Sequence, residues 1–433
     1  MRTGGAVSEW KVIPIAPGAD VFLSPDPAGV SLGNPSIVSL PGGRIVVSFD
    51  MTGPGTKHLE GAKAREPVSG HWLQGKVLVS SDKGKTWTSK VDFPFHQAQL
   101  FRVGHTIYLM GLAGTFRIMR SVDGGESWSK PAELAMEGDD YVLTPVNVFH
   151  ANENVYLVVM KRIAGKNGPV LIPVVFRARE GTDLANRKAW TVSEPCKSFA
   201  EFVPAQCFEY FGIQSSPDSI SESLKQSQKN SLRRSDFQLD WATPHLVEII
   251  DPNHRWRDPR GRTLHLFAET HTNVRNVAAI ASVISDESGG MTIQNKAAPS
   301  DMQKYLVSMP GGHMKFDIAY DETSHMYWLA CNPCFDTMIR SNGSYAARSV
   351  EQQDDRRQLL LFYSPNLVDW CLAACIDSGS SAKDWRHFCS LSIGGNDLFA
   401  VCCSGYARPG TRGYSDRITF HSITAFRELI YSR

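Results

Sequence analysis

An eight-residue pattern, Ser-x-Asp-x-Gly-x-x-Trp, occurs twice in the chain, as SSDKGKTW at residues 80–87 and as SVDGGESW at residues 121–128. In such a turn the aspartate accepts hydrogen bonds from backbone N–H groups that follow it, the glycine adopts a φ that other residues disfavour, and the tryptophan covers the hairpin base. The copies are about 40 residues apart, the length of a four-stranded repeat. The pattern predicts a repeat of β-hairpins, in which Asp82 and Asp123 are turn residues and not catalytic ones.

Six segments of alternating apolar residues, each divided by a turn, are typical of β-hairpins. They lie at residues 34–50, 96–111, 144–160, 244–269, 312–331 and 387–403. Further strands lie between them, and several end in tryptophan. Six inner hairpins followed by outer strands predict an all-β, six-bladed β-propeller, with seven blades as the alternative. The last strand, 417–426, is expected to close the ring by pairing with residues 9–15, which would remove two exposed edges.

The composition limits the classes of function. The chain has 433 residues, of which 42% are hydrophobic, and we predict a single propeller domain over 1–433 with an insertion loop at about 200–240. A formal net charge of +1 argues against nucleic-acid binding, and no run of about 18 apolar residues indicates a membrane span. The first thirty residues lack a continuous apolar segment, so a cytoplasmic location is expected, with a secreted form whose signal was removed as the alternative. The nine cysteines lack a complete set of zinc ligands, which favours structural or reduced roles.

The two boxes resemble the Asp-box of the sialidase superfamily, and SPNLVDW at 364–370 resembles a degenerate third copy with Asn366 in the aspartate position. Residues 30–433 also look similar to bacterial proteins described as sialidase-like on the basis of their fold. The resemblance implies a six-bladed propeller with the boxes on its outer rim, away from the chemistry. It also implies a Phe/Tyr-Arg-Ile-Pro motif near the start of true sialidases, and the corresponding segment here, DVFLSPDPAG at 20–29, has no such arginine. A sialidase in the strict sense is therefore disfavoured.

In a propeller the first residues of the inner strands face the central channel, and loops at one mouth form the pocket. In the predicted hairpins these positions are Asn34, His96, Thr144, His245, His313 and His387, with Lys315 and Arg386 beside them. The histidines suit acid–base chemistry near neutral pH or, alternatively, a divalent metal in the channel, and no other cofactor is predicted. The structural alternative is that each histidine satisfies buried backbone groups and water. Because His96 and His313 directly follow turn residues, we predict catalytic roles for both.

Carboxylates and arginines complete the predicted site. Asp50 ends an apolar strand just before a Gly-Pro-Gly loop and is our first candidate for a general acid. Glu269 ends the comparable strand of the fourth hairpin, whereas Asp317 is expected to face outward between blades. Arginine can hold a carboxylate or sulfate through two hydrogen bonds, which makes it suitable for an acidic substrate. The predicted substrate-binding residues are His245, Arg255, Glu269, Arg275, Arg386 and His387.

Three functions fit this pattern. The leading hypothesis is an exo-acting glycoside hydrolase that removes a terminal sugar, which could be acidic, from a glycan. A polysaccharide lyase is the alternative enzyme, because the chain is rich in histidine and lacks a clear carboxylate pair. A propeller that binds a glycan or a protein without catalysis is the third hypothesis, since fold does not imply function.

Overall fold

The structure is a computed structural model. It describes residues 18–65, 70–134, 140–143, 146, 148–165, 168–203, 241–270, 275–295, 303–335, 337, 356–381, 383–406 and 415–431. Most of the predicted insertion at 200–240, the predicted first strand at 9–15 and the candidate Thr144 lie outside the described residues.

The described strands form six antiparallel sheets, which are the blades of a propeller. The first strand of the chain, β1 (Ala19–Leu23), belongs to the last blade. Blade 1 contains β2 (Ser31–Leu40), β3 (Arg44–Thr52), β4 (Ala64–Arg65), β5 (Trp72–Ser80) and β6 (Thr88–Phe93). Blade 2 contains β7 (His96–Val103), β8 (Thr106–Ala113), β9 (Thr115–Ser121) and β10 (Ala132–Leu134). Blade 3 contains β11 (Asp140–Val142), β12 (Phe149–Ala151), β13 (Asn154–Gly165), β14 (Gly168–Arg179) and β15 (Trp190–Val192).

The second half of the chain forms the other three blades. Blade 4 contains β16 (Ala242–Val247), β17 (Thr263–Glu269), β18 (Val277–Ser285), β19 (Met291–Gln294) and β20 (Leu306–Ser308). Blade 5 contains β21 (Asp317–Asp321), β22 (Met326–Cys331), β23 (Gln358–Ser364) and β24 (Cys371–Ser378). Blade 6 contains β25 (Asp384–Gly394), β26 (Asp397–Tyr406), β27 (Arg417–Thr424) and β1. Helical structure in the described residues is limited to α1 (Phe199–Phe202) and the 3-10 turns Pro41–Gly43, Pro54–His58, Arg187–Ala189 and Phe426–Leu429.

The six-bladed prediction is confirmed, and the seven-bladed alternative is wrong. Each predicted hairpin supplies the two innermost strands of one blade, although in blade 3 the first of these is the short strand β12. The ring is closed by pairing between the first and last described strands, with Ala19 opposite Phe420 and Leu23 opposite Arg417. The predicted partner of the last strand, residues 9–15, lies outside the described residues, and within them β27 pairs with β1.

The core lies between neighbouring blades, so each inner strand is covered on both faces. In β3 the consecutive residues Ile45, Val46 and Val47 are all fully buried. Val47 packs toward blade 6, in a cluster with Val401, whereas Val46 packs toward blade 2, in a cluster with Leu100. Burial on both faces explains why the apolar residues of β3 are consecutive and do not alternate with polar ones as in the segments predicted from the sequence.

The box turns have the predicted local structure. In the second box the N–H of Ser127 donates to Asp123 Oδ1 at 3.0 Å, and the N–H of Gly125 donates to Ser121 Oγ at 2.8 Å. Gly125 has a φ of 91°, where a side chain would be strained. Equivalent bonds surround Asp82 in the first box. In each box the hydroxyl four residues further on contributes most to lowering the pKa of the aspartate to about 2.

The box turns also join neighbouring blades. The Trp87 ring packs edge-on against Phe420 of blade 6, with ring centroids 5.4 Å apart. Arg44 of blade 1 donates from Nε to the carbonyl of Gly124 in blade 2 at 2.7 Å. The repeated pattern therefore sets the turn within one blade and its contact with the next.

Two other turns have related geometry. Asn366 Oδ1 accepts the N–H of Asp369 at 2.9 Å, as expected for a degenerate box. Asp286 Oδ1 accepts the N–H of Gly290 at 2.8 Å, and the Arg177 guanidinium of blade 3 donates to the backbone of this turn. The sequence pattern did not identify the Asp286 turn, because no residue separates Asp286 from the preceding serine and no tryptophan ends the segment.

Replacing Asp123 with alanine is expected to lower the free energy of unfolding by about 1–2 kcal/mol, because the substitution removes the acceptor for the Ser127 N–H and hydroxyl. Urea denaturation measures the change. Val122→Ala is the matched control, since Val122 lies next to Asp123 and is 73% exposed. Equal stability of the two variants would contradict a structural role for the box.

Candidate active site

The innermost strand of each blade begins, and the second strand ends, at the same end of the propeller. In blade 4, for example, Ala242 at the start of β16 is paired with Glu269 at the end of β17. A cavity opens at this end between blades 4, 5 and 6, and we call it the mouth cavity. It is lined by Glu269, His313, Met314, Lys315, Asn332, Arg356, His387 and Phe388. Three predicted site residues, Glu269, His313 and His387, are thus brought together.

His313 is positioned by a loop that lies against blade 4. A Cβ at Gly312 would lie only 2.6 Å from the backbone nitrogen of Ala278, so the close approach requires glycine. The N–H of Thr270 donates to the Gly312 carbonyl at 3.2 Å, and the N–H of Asn276 donates to His313 Nδ1 at 3.1 Å. Since Nδ1 is an acceptor, the His313 ring carries its proton on Nε2.

His387 is a buried, neutral imidazole. His387 is 6% exposed, and neither of its ring nitrogens has a hydrogen-bond partner within the described part of the chain. Burial, reinforced by the positive charges of Arg356 and Lys315, holds the pKa of His387 well below the ordinary value of 6.5. At neutral pH one ring nitrogen therefore has a lone pair that can accept a proton from a ligand or a water molecule.

Two cations border the cavity. Lys315 donates to the Cys389 carbonyl and lies 6.0 Å from the centre of the Phe388 ring. The Arg356 guanidinium lies 5.5 Å from the centre of a Trp385 ring. An aromatic ring attracts a cation to its face, and each of these two side chains lies near one. With two cations and one carboxylate, Glu269, the lining favours an anionic ligand.

Arg356 and Asn332 were missed by the sequence prediction. Asn332 is 1% exposed, and its Nδ2 donates to the carbonyls of Gln358 and Arg386, both at 2.6 Å. The prediction considered mainly the first residues of each hairpin, whereas Asn332 follows a hairpin and Arg356 precedes the next outer strand. A search for polar residues directly after each predicted hairpin and directly before the next outer strand could have identified Asn332 and Arg356.

Asp50 lies away from the mouth cavity, in the seam between blades 1 and 2. It is fully buried, and its Oδ2 accepts Asn34 Nδ2 at 2.7 Å and the N–H of Gln97. Its Oδ1 has no hydrogen-bond partner among the described residues. Burial outweighs the hydrogen bonds and raises the pKa of Asp50 to about 7. This geometry suits a clamp between blades, and Asp50 is not among the residues that line the mouth cavity.

In the unmodified protein the free energy of unfolding is expected to fall by on the order of 2 kcal/mol between pH 5 and pH 8 because of Asp50. In the Asp50→Asn variant most of this fall is expected to disappear. Because the folded-state pKa is raised, the stabilisation is complete below the ordinary value of 3.8 and is lost as the pH rises through about 7. Urea denaturation at both pH values measures it. Asp20→Asn, at an exposed carboxylate, is the control. An unchanged pH dependence in Asp50→Asn would contradict the assignment.

His245 and Asp317 form a buried pair across blades 4 and 5. His245 Nε2 lies 2.9 Å from Asp317 Oδ1, and its Nδ1 lies 3.0 Å from the Thr243 carbonyl. Both partners are acceptors, so both ring nitrogens donate and the ring is an imidazolium. Asp317 Oδ2 also accepts the N–H of Leu391 in blade 6 at 2.7 Å. The expectation that Asp317 faces outward is wrong, because its side chain is fully buried and joins three blades.

Arg255 and His96 do not line the mouth cavity. Arg255 is exposed in the loop after β16. The strand register places this loop at the end of blade 4 opposite to Glu269, since Val247 pairs with His265 and Ala242 with Glu269. His96 is half-buried at the start of β7 in blade 2.

Arg275 and Arg386 are engaged elsewhere. Arg275 donates from Nη1 to Cys334 Sγ at 3.2 Å. The Arg386 guanidinium forms ion pairs with Asp377 and Asp384. Neither lies in the lining of the mouth cavity.

Metal ligation has no geometric support in the described ranges, where no group of three or more His, Cys, Asp or Glu side chains could hold a metal ion. The same ranges contain no helix that is long and apolar enough to cross a membrane.

The arrangement defines a class of fold, the six-bladed propeller found in sialidases. Among solved structures, the chain is similar to a Hadza microbial sialidase, with a TM-score of 0.53 and 13% identity over 96% of this chain and 70% of that one. It is also similar to a protein of unknown function from Dyadobacter fermentans, with a TM-score of 0.52 and 13% identity over 94% of this chain and 98% of that one. No protein-family model matches the sequence, and no curated protein matches it. At this level of identity the likeness shows the fold alone.

Proposed function

We propose that the protein is a carbohydrate-active enzyme that removes a terminal acidic sugar from a glycan bound in the mouth cavity. The observation that carries the proposal is the convergence of Glu269, His387, Arg356 and Lys315 on one cavity at the propeller mouth. In the proposed reaction the carboxyl group supplies the acid, the neutral imidazole replaces the second carboxylate of most glycoside hydrolases as the base, and the two cations bind the acidic group of the substrate. The sialidase with the same fold is consistent with this class of reaction.

Each residue has a distinct role in the proposed hydrolysis. Arg356 and Lys315 neutralise the acidic group of the substrate, and the His313 Nε2–H is a hydrogen-bond donor that orients the sugar. Glu269 protonates the oxygen of the leaving group. Because Glu269 is the one carboxylate in the described lining, His387 is assigned as the base that activates water.

A lyase is the second candidate, and the state of His387 favours it. A neutral imidazole with uncommitted nitrogens can remove the proton beside a uronate carboxylate that Arg356 neutralises. Elimination then breaks the glycosidic bond, the leaving oxygen takes a proton from Glu269, and a double bond remains in the sugar, so that no second carboxylate is needed.

A screen of acidic and neutral oligosaccharides by mass spectrometry tests the proposal. Hydrolysis adds one water to the products, whereas elimination gives an unsaturated product with near-ultraviolet absorbance. The proposed hydrolysis predicts the first outcome, and the second would replace it with the lyase. Intact glycan after long incubation, with binding retained, would overturn both in favour of a non-catalytic glycan-binding propeller.

Arg356→Ala is expected to raise the KM for the substrate found in this screen about 10–100-fold, because a charge-assisted hydrogen bond to an anionic group contributes about 1.5–3 kcal/mol. Steady-state kinetics measure the change. Arg179→Ala is the matched control, since Arg179 is strongly exposed at the end of β14. An unchanged KM in Arg356→Ala would remove Arg356 from the substrate site.

A further inference from the structure

A second group of basic residues lies at the opposite end of blade 4 from the mouth cavity. His265 is four residues before Glu269 on β17, roughly 13 Å along the strand, and pairs with Val247. Lys304 lies just before β20, and Trp256 lies in the loop between β16 and β17. The ammonium nitrogen of Lys304 is 5.0 Å from the centre of the Trp256 ring. The His265 ring stacks against the same indole, with centroids 6.1 Å apart.

Among the described residues, the side-chain nitrogens of Lys304 and His265 have no hydrogen-bond partner. Lys304 is 9% exposed and His265 is 1% exposed. Lys304 Nζ and both ring nitrogens of His265 are buried and lack a hydrogen-bond partner in the described ranges. A buried donor without an acceptor costs about 1–3 kcal/mol, and a buried charge costs more. Two such side chains beside one indole indicate that an acceptor is missing.

The neighbouring histidine cannot supply that acceptor. His254 donates from Nε2 to the Asn366 carbonyl at 2.9 Å, and its Nδ1 accepts the N–H of Trp256 at 3.0 Å. His254 is therefore fully engaged, and it ties this loop to blade 5.

The carboxylates of the loop are also engaged. Asp258 accepts the Thr263 hydroxyl at 2.8 Å, and Asp251 accepts the N–H of Asn253 at 2.8 Å. Glu248 pairs with Arg257 at 3.5 Å. Burial holds the pKa of His265 well below its ordinary value, and the two basic neighbours, Lys304 and His254, act in the same direction. Burial lowers the pKa of Lys304 to about 7, as expected for an amine that no anion stabilises.

We propose that Lys304 and His265, covered by Trp256, bind one small monovalent anion of the size of chloride. The Trp256 face attracts the ammonium and repels anions, so the anion lies on the side of Nζ away from the indole. The depth of the donors excludes an extended ligand such as a phosphate ester. Because His254 connects the same loop to Asn366, the bound anion stabilises the seam between blades 4 and 5.

Bromide is the probe for this site. Crystals of the full chain, grown without halide and soaked in sodium bromide at pH 6, are expected to show an anomalous peak within hydrogen-bonding distance of Lys304 Nζ. At constant ionic strength, chloride in place of gluconate is expected to raise Tm by about 2 °C at pH 6. The effect is expected to vanish at pH 9, where the Lys304 amine is neutral.

Substitutions distinguish anion binding at Lys304 from general effects of salt on the protein surface. Lys304→Met is expected to abolish both the bromide peak and the chloride effect, whereas Lys304→Arg keeps them. Lys130→Met, at an exposed lysine, is the matched control and is expected to behave like the unmodified protein. The absence of bromide at Lys304, or the same chloride effect in Lys304→Met and Lys130→Met, would overturn the proposal.

Discussion

Replacing Glu269 with glutamine is expected to lower kcat about 10²–10⁴-fold on the substrate found by the oligosaccharide screen. The amide has nearly the same shape as the carboxyl group but cannot transfer a proton to the leaving oxygen. Glu269 is 4% exposed and is the one carboxylate in the described lining of the mouth cavity. KM is expected to change much less than kcat, because the amide still forms hydrogen bonds. Steady-state kinetics separate the two constants.

Glu133→Gln is the control for this substitution, because Glu133 is half-exposed in blade 2 and pairs with Arg117. It is expected to retain full activity. His387→Gln distinguishes the two mechanisms: in a lyase it removes the base and is the more severe variant, whereas in the proposed hydrolase Glu269→Gln is at least as severe. Full activity in Glu269→Gln would exclude Glu269 as the acid.

Replacing Asp317 with alanine is expected to lower the free energy of unfolding by about 3–5 kcal/mol. The substitution leaves the His245 imidazolium and the N–H of Leu391 buried without their acceptor. His245 also stacks on Phe316, with ring centroids 5.0 Å apart, so it cannot easily turn toward water. Urea denaturation measures the loss.

A double-mutant cycle isolates the interaction of the pair. His245→Phe removes the buried positive charge and keeps an aromatic ring on Phe316. The double variant His245→Phe, Asp317→Ala is expected to be more stable than Asp317→Ala alone, because no charge remains unpaired. Additive losses in the two single variants would show that no buried ion pair exists.

Local features were predictable because they depend on residues close together in the sequence. The six hairpins follow from apolar segments divided by turn residues, and each forms the inner strands of a blade. The box turns follow from Asp123 and the backbone groups within four residues of it. The turn at Asn366 has a related hydrogen bond, since the side-chain oxygen of asparagine can accept a backbone N–H as an aspartate does.

The candidate site was less predictable, because the inner strands are not regular. The register shifts near the start of β2, β7, β16 and β25, and a residue with positive φ lies at each shift. These residues are Asn34, Gln97, Thr243 and Phe388. Such a bulge changes the direction of the side chains that follow it, so a residue before the bulge and a residue after it do not face the channel equally. His387 comes before Phe388 and lines the mouth cavity, whereas His245 comes after Thr243 and contacts Asp317.

The sequence by itself determined the number of blades, the turns that end them and a set of polar residues near the strand ends. Only the tertiary structure decided which of these residues meet. Glu269, His313, Asn332, Arg356 and His387 come from three blades and share one cavity, whereas Asp50 and Asp317 became buried clamps between blades. The physical reason is that turn formation depends on bonds within a few residues. A shared cavity depends on how the blades pack, and that packing is set by contacts between residues far apart in the chain.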